Sequence, residues 1–484
     1  MTHLITLLPQ NISISAPDGS NLLDLLRSSG FAPAAPCGGM GTCGKCTVLI
    51  NGTPTKACSV TVERDLTVTL PREDEMSVLT AGVGTTTNSG QGYRLAFDIG
   101  TTTVAGILLD PAGQEVAASG VRNPQAAYGA DVVSRIRAAE NGQQAALTTQ
   151  IRACLEQMTT DLCRRGSIPP EEVTLVSVVG NPAMQQLFLG VSTENLARPP
   201  FAPKLTRLEQ QPAREVLPCL PHAVLLTLPD ISGFVGADTL GCLLSTAMDT
   251  AEEMTLLVDI GTNGEMVLGN RHRLIACSTA AGPALEGAHI HCGMTAAPGA
   301  IDRVSIENGA MVCHTIGDVT ATGICGSGLI SAVAAALELG LLNNRGKILA
   351  EDGQISLTAQ VFLTQEDIRQ VQLAKGAIAA GIMLLADRMG IPLEEISRVY
   401  LAGAFGTYLD PKAACRIGLL PVELDGKIET VGNAALAGAA LLTQDAHLLR
   451  RVQSAADRTE DLNLSNAPDF PRTFAKCMRF DAEQ

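Results

Sequence analysis

The chain has 484 residues, a net charge of −15 and 46% apolar residues, with only 17% charged residues. This length predicts two or three domains, and the apolar fraction is sufficient for sizeable cores. The acidic balance, without a cluster of Lys and Arg, argues against a nucleic-acid partner. The N-terminus lacks a basic segment followed by a long apolar one, so we expect no signal peptide, no membrane association and a cytoplasmic location. The 14 cysteines then favour metal ligation over disulfides.

Residues 1–76 predict a first domain with alternating strands and one capped helix. Its cysteines are spaced C-x5-C-x2-C-x11-C in a glycine-rich segment. Zinc usually takes paired C-x2-C knuckles. Three close cysteines and a distant fourth instead resemble the [2Fe–2S] ferredoxin arrangement of a β-grasp fold, with a first gap one residue longer than the plant-type spacing. Structural zinc is the alternative. The predicted metal ligands are Cys37, Cys43, Cys46 and Cys58.

Residues 77–92 have the composition of a flexible linker, which would let the cluster domain move relative to the rest of the chain. Residues 93–250 predict a first α/β lobe. It opens with a buried strand that ends in Asp98-Ile-Gly-Thr-Thr-Thr103. Near its end, the stretch Pro229–Asp238 has two acids and two glycines, which either line a cleft or only turn the chain.

Residues 251–484 predict a second lobe, which opens with the same design in Asp259-Ile-Gly-Thr-Asn-Gly-Glu265. Glycines after a strand let backbone N–H groups approach an anion closely, and carboxylates are ligands that Mg²⁺ prefers. Two such turns facing each other would hold the phosphates of a nucleotide. The residues concerned are Asp98, Gly100, Thr101, Thr102, Asp259, Gly261, Thr262, Asn263, Gly264 and Glu265, together with Gly282 and Glu286 farther along.

Three further segments of the second lobe are candidates. Gly323, Gly326 and Ser327 open a helix, as an anion site or as a packing device. Lys375 lies on a helix with small residues on one side, and a solvated surface lysine is favoured over a phosphate contact. A strand then runs into Gly403, Ala404, Phe405 and Gly406. The tail after about Ser454 is polar, and we expect it to pack only in part.

The paired aspartate turns resemble the phosphate-1 and phosphate-2 loops of the superfamily of ATPases that includes acetate and sugar kinases, Hsp70 and actin. The segment Val399–Gly406 is similar to its adenosine loop, although Ala404 replaces the second glycine of the usual pair. The resemblance implies a duplicated, two-lobed RNase H-like fold with ATP and Mg²⁺ between the lobes. It also implies catalytic roles for Asp98 and Asp259.

The motifs together resemble the reductive activators of corrinoid-dependent enzymes. They include Cys37-Gly-Gly-Met-Gly-Thr-Cys-Gly-Lys-Cys46, both aspartate turns, Gly323-Ile-Cys-Gly-Ser-Gly328, Leu401-Ala-Gly-Ala-Phe-Gly406 and Ile417-Gly-Leu-Leu-Pro421. The resemblance implies an ATP-dependent transfer of one electron to a Co(II) corrinoid protein, which forms Co(I) for methyl transfer. It further implies an upstream electron donor and a homodimer. The short linker suggests that this chain lacks the middle domain of some members.

Other functions fit the same domains. A second possibility is an ATP-driven reductase of another acceptor of low potential. A redox-sensing module, in which the ATPase acts as a conformational switch without delivering electrons, is a third. A small-molecule kinase would leave the ferredoxin-like domain unexplained.

Overall fold

The computed structural model describes residues 2–8, 11–29, 31, 33, 35, 39, 41, 46–70, 92–403 and 409–480. The predicted ligands Cys37 and Cys43 lie outside these residues. So do linker positions 77–91 and residues 404–406 of the predicted adenosine loop.

The N-terminal domain is a five-stranded sheet in the order β2-β1-β7-β4-β5, with one helix packed on it. Strands β1 and β7 are parallel to each other, and the other neighbouring pairs are antiparallel. Alternation in β1 sends Ile5 and Leu7 into the core, and Asn21 caps the helix by accepting from two backbone N–H groups. This is the expected β-grasp arrangement. The elements are β1 Thr2–Leu8, β2 Ile12–Pro17, β3 Ser20–Asn21, α1 Leu22–Ser28, β4 Thr47–Ile50, β5 Thr53–Lys56, β6 Thr61–Val62 and β7 Leu66–Thr69.

Lobe 1 follows as a six-stranded sheet in the order β10-β9-β8-β11-β13-β12. Strands β10, β9 and β8 are antiparallel neighbours, whereas β8, β11 and β13 are parallel. Its elements are β8 Tyr93–Ile99, β9 Thr103–Leu109, β10 Glu115–Arg122, α2 Val132–Ala138, α3 Gln144–Arg165, β11 Val173–Gly180, α4 Pro182–Leu189, α5 Glu194–Ala197, β12 Glu209–Pro212, β13 Val224–Thr227 and α6 Ala237–Thr246.

Lobe 2 repeats this design in a sheet of order β23-β22-β14-β15-β16-β24. Its elements are β14 Thr255–Ile260, β15 Gly264–Gly269, β16 Leu274–Thr279, β17 Ala300–Glu307, β18 Ala310–Thr315, β19 Gly323–Ile324, α7 Gly326–Glu338, β20 Gln354–Ser356, β21 Phe362–Thr364, α8 Gln365–Met389, β22 Arg398–Ala402, α9 Pro411–Arg416, β23 Ile428–Gly432, α10 Ala434–Leu442, α11 His447–Arg458, β24 Thr459–Asp461 and α12 Phe470–Cys477.

The duplication is visible strand by strand. Lobe 1 contains the order β10-β9-β8-β11-β13, and lobe 2 contains β16-β15-β14-β22-β23, with the same three antiparallel strands followed by two parallel ones. Asp98 and Asp259 therefore occupy matching places, one residue before the end of β8 and of β14. The predicted duplicated, two-lobed fold is confirmed.

The two lobes meet through helices α6 and α10. A Cβ atom added to Gly241 would lie 2.6 Å from the carbonyl oxygen of Ala435, and one added to Gly438 would lie 2.0 Å from that of Gly241. The helices can approach this closely only because both crossing residues are glycine. One hydrophobic cluster spans both lobes at this contact and supports the floor of the cleft between them.

The C-terminal segment packs in part, as expected: most of its described residues after Ser454 are exposed or half-buried, and a few are buried. Strand β24 extends the lobe 2 sheet beside β16, and Cys477 and Phe480 are buried. Lys375 is also completely buried, which corrects the surface position predicted for it. Its ammonium group donates to the carbonyl oxygens of Arg479 and Gly418 and lies 5.3 Å from the ring centre of Phe480. Lys375 thus ties α8 to the C-terminal segment.

Helix α8 is also long and apolar enough to cross a membrane, judged by length and composition alone. In this structure 72% of its apolar window is buried inside the protein. Ile368, Val371, Ile378 and Ile382 are in the main core of lobe 2. We therefore interpret α8 as a core helix.

Candidate functional site

The two predicted phosphate loops come together across the cleft. The hydroxyl oxygens of Thr102 in lobe 1 and Thr262 in lobe 2 are 3.0 Å apart. Both hydroxyls donate to Oε2 of Glu286, at 2.6 Å and 2.9 Å. One carboxylate oxygen thus accepts from a donor of each lobe, and these hydroxyls are the kind of donor that binds a phosphate oxygen.

Three aspartates lie behind these loops. Burial raises the pKa of Asp98 to about 7, with further increases from the charges of Asp238 and Asp259; a 3.0 Å hydrogen bond from Asn433 opposes the shift. Burial likewise raises the pKa of Asp238 to about 7 and that of Asp259 to about 6. Carboxylates that resist ionisation together create a site that favours a cation.

Asp238 is a further buried carboxylate of this group, and it is not among the predicted site residues. Its stretch was predicted either to line a cleft or only to turn the chain. The charge of Asp238 raises the pKa of both Asp98 and Glu265, which favours the first interpretation. Asp238 lies in the first turn of α6, directly after Gly236 and Ala237. An acid in the first turn of a helix was the available signal, although such acids are common at ordinary helix starts.

Glu265 faces the same cleft from β15, directly across from Asp259 in the strand register. Burial raises its pKa, and the charges of Asp238 and Asp259 raise it further, whereas a hydrogen bond from the Ser278 hydroxyl opposes the change. Within the described residues, no group of three His, Cys, Asp or Glu side chains is arranged to hold a metal ion.

Loop 1 is held from behind by three side chains. The Asn123 amide donates to the carbonyl oxygen of Gly100 at 2.8 Å, and the Asn181 amide donates to the Thr101 hydroxyl at 3.2 Å. The buried Arg135 donates to the carbonyl oxygen of Thr101. These bonds fix the loop with its donors toward the cleft.

The remaining predicted nucleotide residues differ in placement. Gly282 has a positive φ of 77° and caps the short turn that carries Glu286. The turn at Gly323–Ser327 packs against Cys292 and Met294, and within it the Cys325 sulfur lies 3.4 Å from the Ser327 hydroxyl oxygen. These are the contacts of a packing device, and a nucleotide contact there stays a prediction.

The predicted adenosine loop starts beside Asp259, because β22 pairs in parallel with β14 and places Ala402 opposite this aspartate. Gly403 has a φ of 94°, and a Cβ atom there would lie 2.8 Å from Oδ1 of Asp259. The backbone requires glycine at this position. Its successors Ala404, Phe405 and Gly406 lie outside the described residues.

In the N-terminal domain, the sulfur atoms of Cys46 and Cys58 are 3.3 Å apart. Cys46 is buried and Cys58 is half-buried. Gly39 and Gly41, in the loop before them, have positive φ angles of 98° and 75°. Two thiols this close can bind one metal atom, and the glycine loop can wrap around a cluster, so the described residues fit an iron–sulfur centre.

A β-grasp domain with paired thiols, joined to a duplicated fold with two facing phosphate loops, defines an iron–sulfur protein with an ATPase of the kinase, Hsp70 and actin superfamily. Three family models match in succession. A 2Fe-2S iron-sulfur cluster binding domain matches residues 5–71, the RACo middle region matches 93–251, and the C-terminal ASKHA domain of RACo matches 253–484. The chain belongs to the family of reductive activators of corrinoid proteins.

Individual relatives agree with this family. The chain is 33% identical to the corrinoid activation enzyme RamQ of Eubacterium limosum, over 79% of this chain and 69% of that protein. It is 30% identical to the [Co(II) methylated amine-specific corrinoid protein] reductase of Methanosarcina barkeri, over 71% of this chain and 68% of that protein. A solved reductive activator for corrinoid, iron–sulfur protein has a TM-score of 0.74 and 27% identity, over 99% and 98% of the two chains.

These matches settle two questions that the sequence had left open. The chain is an enzyme of the reductase class with an ATPase fold, and it is neither a small-molecule kinase nor only a sensor module. The expectation that it lacks a middle domain is wrong, because the middle-region model matches the part of the chain that forms lobe 1.

Proposed function

We propose that this enzyme passes one electron from its [2Fe–2S] cluster to an inactive Co(II) corrinoid protein and uses ATP to make the transfer possible. The product is the Co(I) form, which accepts methyl groups, and the oxidised cluster is then reduced again by an upstream donor. The observation that carries the proposal is the meeting of Thr102 and Thr262 at Glu286. It supports a nucleotide site between the lobes, in a chain that also carries a cluster domain.

ATP is needed for a thermodynamic reason. Plant-type [2Fe–2S] centres have potentials near about −400 mV, so an acceptor of lower potential is reduced only if another reaction supplies the free energy. Binding of ATP can supply it only through a difference in affinity between two conformations. A closed pair of lobes that binds the corrinoid protein differently from the open pair meets this condition.

The nucleotide's phosphates would lie between the two loops. Backbone N–H groups after Asp98 and Asp259, with the hydroxyls of Thr102 and Thr262, are the donors, and Glu286 would give up its hydrogen bonds to them. Mg²⁺ usually binds one or two carboxylates, phosphates and water rather than a cage of protein ligands. Asp98 and Asp259, supported by Asp238, would hold it and so neutralise phosphate charge.

The partners follow from this function. They are a corrinoid protein of a methyltransferase system and an upstream electron donor, and we propose that the enzyme is a cytoplasmic homodimer. The net charge of −15 favours contact with a basic surface on one of these proteins.

The direct test follows corrinoid absorbance anaerobically, with reduced enzyme and a Co(II) corrinoid protein. We expect the Co(I) spectrum to appear with Mg·ATP and to be absent without nucleotide. Equal formation of Co(I) with and without ATP would contradict the proposed coupling. No formation of Co(I) from any corrinoid protein, with reduction of another low-potential acceptor, would favour the alternative reductase.

Gly261→Ala should weaken ATP binding without harming the fold. A Cβ atom at position 261 would have nothing closer than 3.7 Å, so the protein itself has room for it. The methyl group would occupy the space that phosphates need, and we expect affinity to fall by at least about tenfold, which corresponds to about 1.4 kcal/mol. Titration calorimetry with an ATP analogue and thermal unfolding measure the two properties.

Gly100→Ala is the matched comparison. A Cβ atom there would lie 2.7 Å from the carbonyl oxygen of Thr103, so this substitution should lower both affinity and melting temperature. Wild-type affinity in Gly261→Ala would show that the nucleotide does not approach this loop.

A further inference from the structure

The cluster domain touches lobe 1 through Arg27, in the last turn of α1. Its Nε donates to the carbonyl oxygen of Ala127 at 2.8 Å, and its guanidinium lies 5.5 Å from the ring centre of Tyr128. The Gln150 amide of α3 donates to the carbonyl oxygen of Arg27 at 3.3 Å. The composition of the linker predicted that this domain moves, but it did not predict a docking contact.

Arg27 also borders the cluster-binding loop. A Cβ atom on Gly39, between the first two predicted ligands, would lie 3.7 Å from one Nη of Arg27. Asp24 fixes the guanidinium from its other side by accepting from Nη1 at 2.9 Å. The side chain is only 13% exposed. Arg27 therefore lies between the loop that holds the cluster and the surface of lobe 1.

On the lobe 1 side, the docking residues belong to a segment that is bonded to phosphate loop 1. Asn123 opens the segment, and its backbone N–H donates to the carbonyl oxygen of Thr102 at 2.9 Å, whereas its amide donates to Gly100. Its own Oδ1 accepts from the Gln125 N–H at 2.9 Å, at the start of the turn that carries Ala127.

Arg135 makes the second connection between loop and docking surface. One end of its guanidinium donates to the carbonyl oxygen of Thr101, and its Nε donates to that of Gly129 at 3.1 Å, next to Tyr128. The side chain is completely buried, and the charges that face it are those of Asp131 and Glu286. Gly100 and Thr102 are thus bonded to Asn123, and Thr101 is connected through Arg135 to Gly129, next to the residues that receive Arg27.

We propose that nucleotide at phosphate loop 1 controls the docking of the cluster domain on the surface formed by Ala127, Tyr128 and Gln150, and that ATP loosens it; this rests on the nucleotide site of the proposed function. Phosphates that take the hydroxyls of Thr102 and Thr262 displace Glu286, one of the two charges that Arg135 faces. The Arg135 side chain, which connects Thr101 to Gly129, then shifts. Ala127 and Tyr128, which contact Arg27, shift with it.

The interface is weak enough for such control. In the described residues, one cation–π contact and two hydrogen bonds across it centre on a single arginine. Contacts of this size between domains are compatible with release. In the ATP-bound enzyme, release would let the cluster approach the corrinoid protein. This is the state in which ATP makes reduction of that protein possible.

The accessibility of Tyr128 reports on docking directly. Radiolytic footprinting with mass spectrometry would measure oxidation of Tyr128 in the cluster-loaded enzyme, with Tyr400 of lobe 2 as the internal reference. In the wild type we expect oxidation to increase about fivefold or more when Mg²⁺ and the non-hydrolysable analogue AMP-PNP are added, within the usual range of coupling between sites. Arg27→Ala should show the faster rate without nucleotide and no further increase.

Arg64→Ala is the matched control, because Arg64 is an exposed arginine of the same domain. It should behave like the wild type. Arg27→Lys keeps the charge over Tyr128 but loses the Nε donor, so it should give an intermediate rate. An unchanged iron–sulfur spectrum in each variant verifies that the domain is folded.

The outcomes separate this inference from the proposed function. If calorimetry detects AMP-PNP binding while Tyr128 oxidation stays constant or falls, the coupling is overturned and the nucleotide site stands. If AMP-PNP does not bind, the nucleotide site and the coupling both fail, whereas the comparison of Arg27→Ala with Arg64→Ala still decides the docking. Equal oxidation in these two variants would overturn the docking contact.

Discussion

Asp259→Ala should lose ATP hydrolysis and ATP-dependent formation of Co(I) together. Asp259 is the penultimate residue of the strand that leads into phosphate loop 2, and it lies with Asp98 and Asp238 behind the two loops. Removing its charge removes the proposed support for Mg²⁺ and the phosphates in lobe 2. Loss of one group that stabilises charge during a reaction typically costs about 100-fold to 1,000-fold in rate. Phosphate release and the Co(I) spectrum measure the two activities.

The same substitution should leave the rest of the protein intact. Burial raises the pKa of Asp259, and its charge raises the pKa of Asp98, so the native fold gains nothing from this carboxylate. The free energy of unfolding should therefore stay the same or increase. The [2Fe–2S] spectrum, chemical reduction of the cluster and nucleotide-free binding of the corrinoid protein should also persist.

Asp259→Asn is the matched variant, because it keeps the size of the side chain and can still accept the 3.5 Å hydrogen bond from the Cys242 thiol. It should be as inactive as Asp259→Ala if the charge is what matters. Formation of Co(I) at the wild-type rate in either variant would show that this loop does not hold the phosphates.

The site was predictable wherever its signal was local. A buried strand followed by Asp-Ile-Gly-Thr describes both phosphate loops within a few residues, and strand and turn are determined by neighbouring side chains. The same holds for the alternating strands and the capped helix of the first domain. Duplication then followed from finding the local pattern twice.

What the sequence did not reveal depends on contacts between distant residues. Asp238 meets Asp98 only because the sheets bring α6 to the cleft, and Arg27 meets Ala127 across two domains. Lys375 looked like a surface residue, since a helix pattern alone does not show that another segment will cover it. The burial of Phe480 beside Lys375 could not be predicted either, because the C-terminal segment is mostly polar.

Cys46→Ser should bleach the protein and abolish Co(I) formation while ATP hydrolysis continues. Wild-type enzyme should be brown, with two irons per [2Fe–2S] cluster held by Cys37, Cys43, Cys46 and Cys58. Cys46 is completely buried, and its sulfur is 3.3 Å from that of Cys58, so its loss removes a ligand that no exposed thiol can replace. Visible absorbance and iron analysis would measure the loss.

The ATPase lobes should be unaffected by this change, because residues 93–484 form their own cores. Cys163→Ala is the control: Cys163 is a buried thiol of the lobe 1 core, and this variant should keep its colour and both activities. A colourless wild type that binds zinc after anaerobic reconstitution would contradict the cluster. Formation of Co(I) by a bleached Cys46→Ser enzyme would instead show that electrons reach the corrinoid by a route that bypasses this domain.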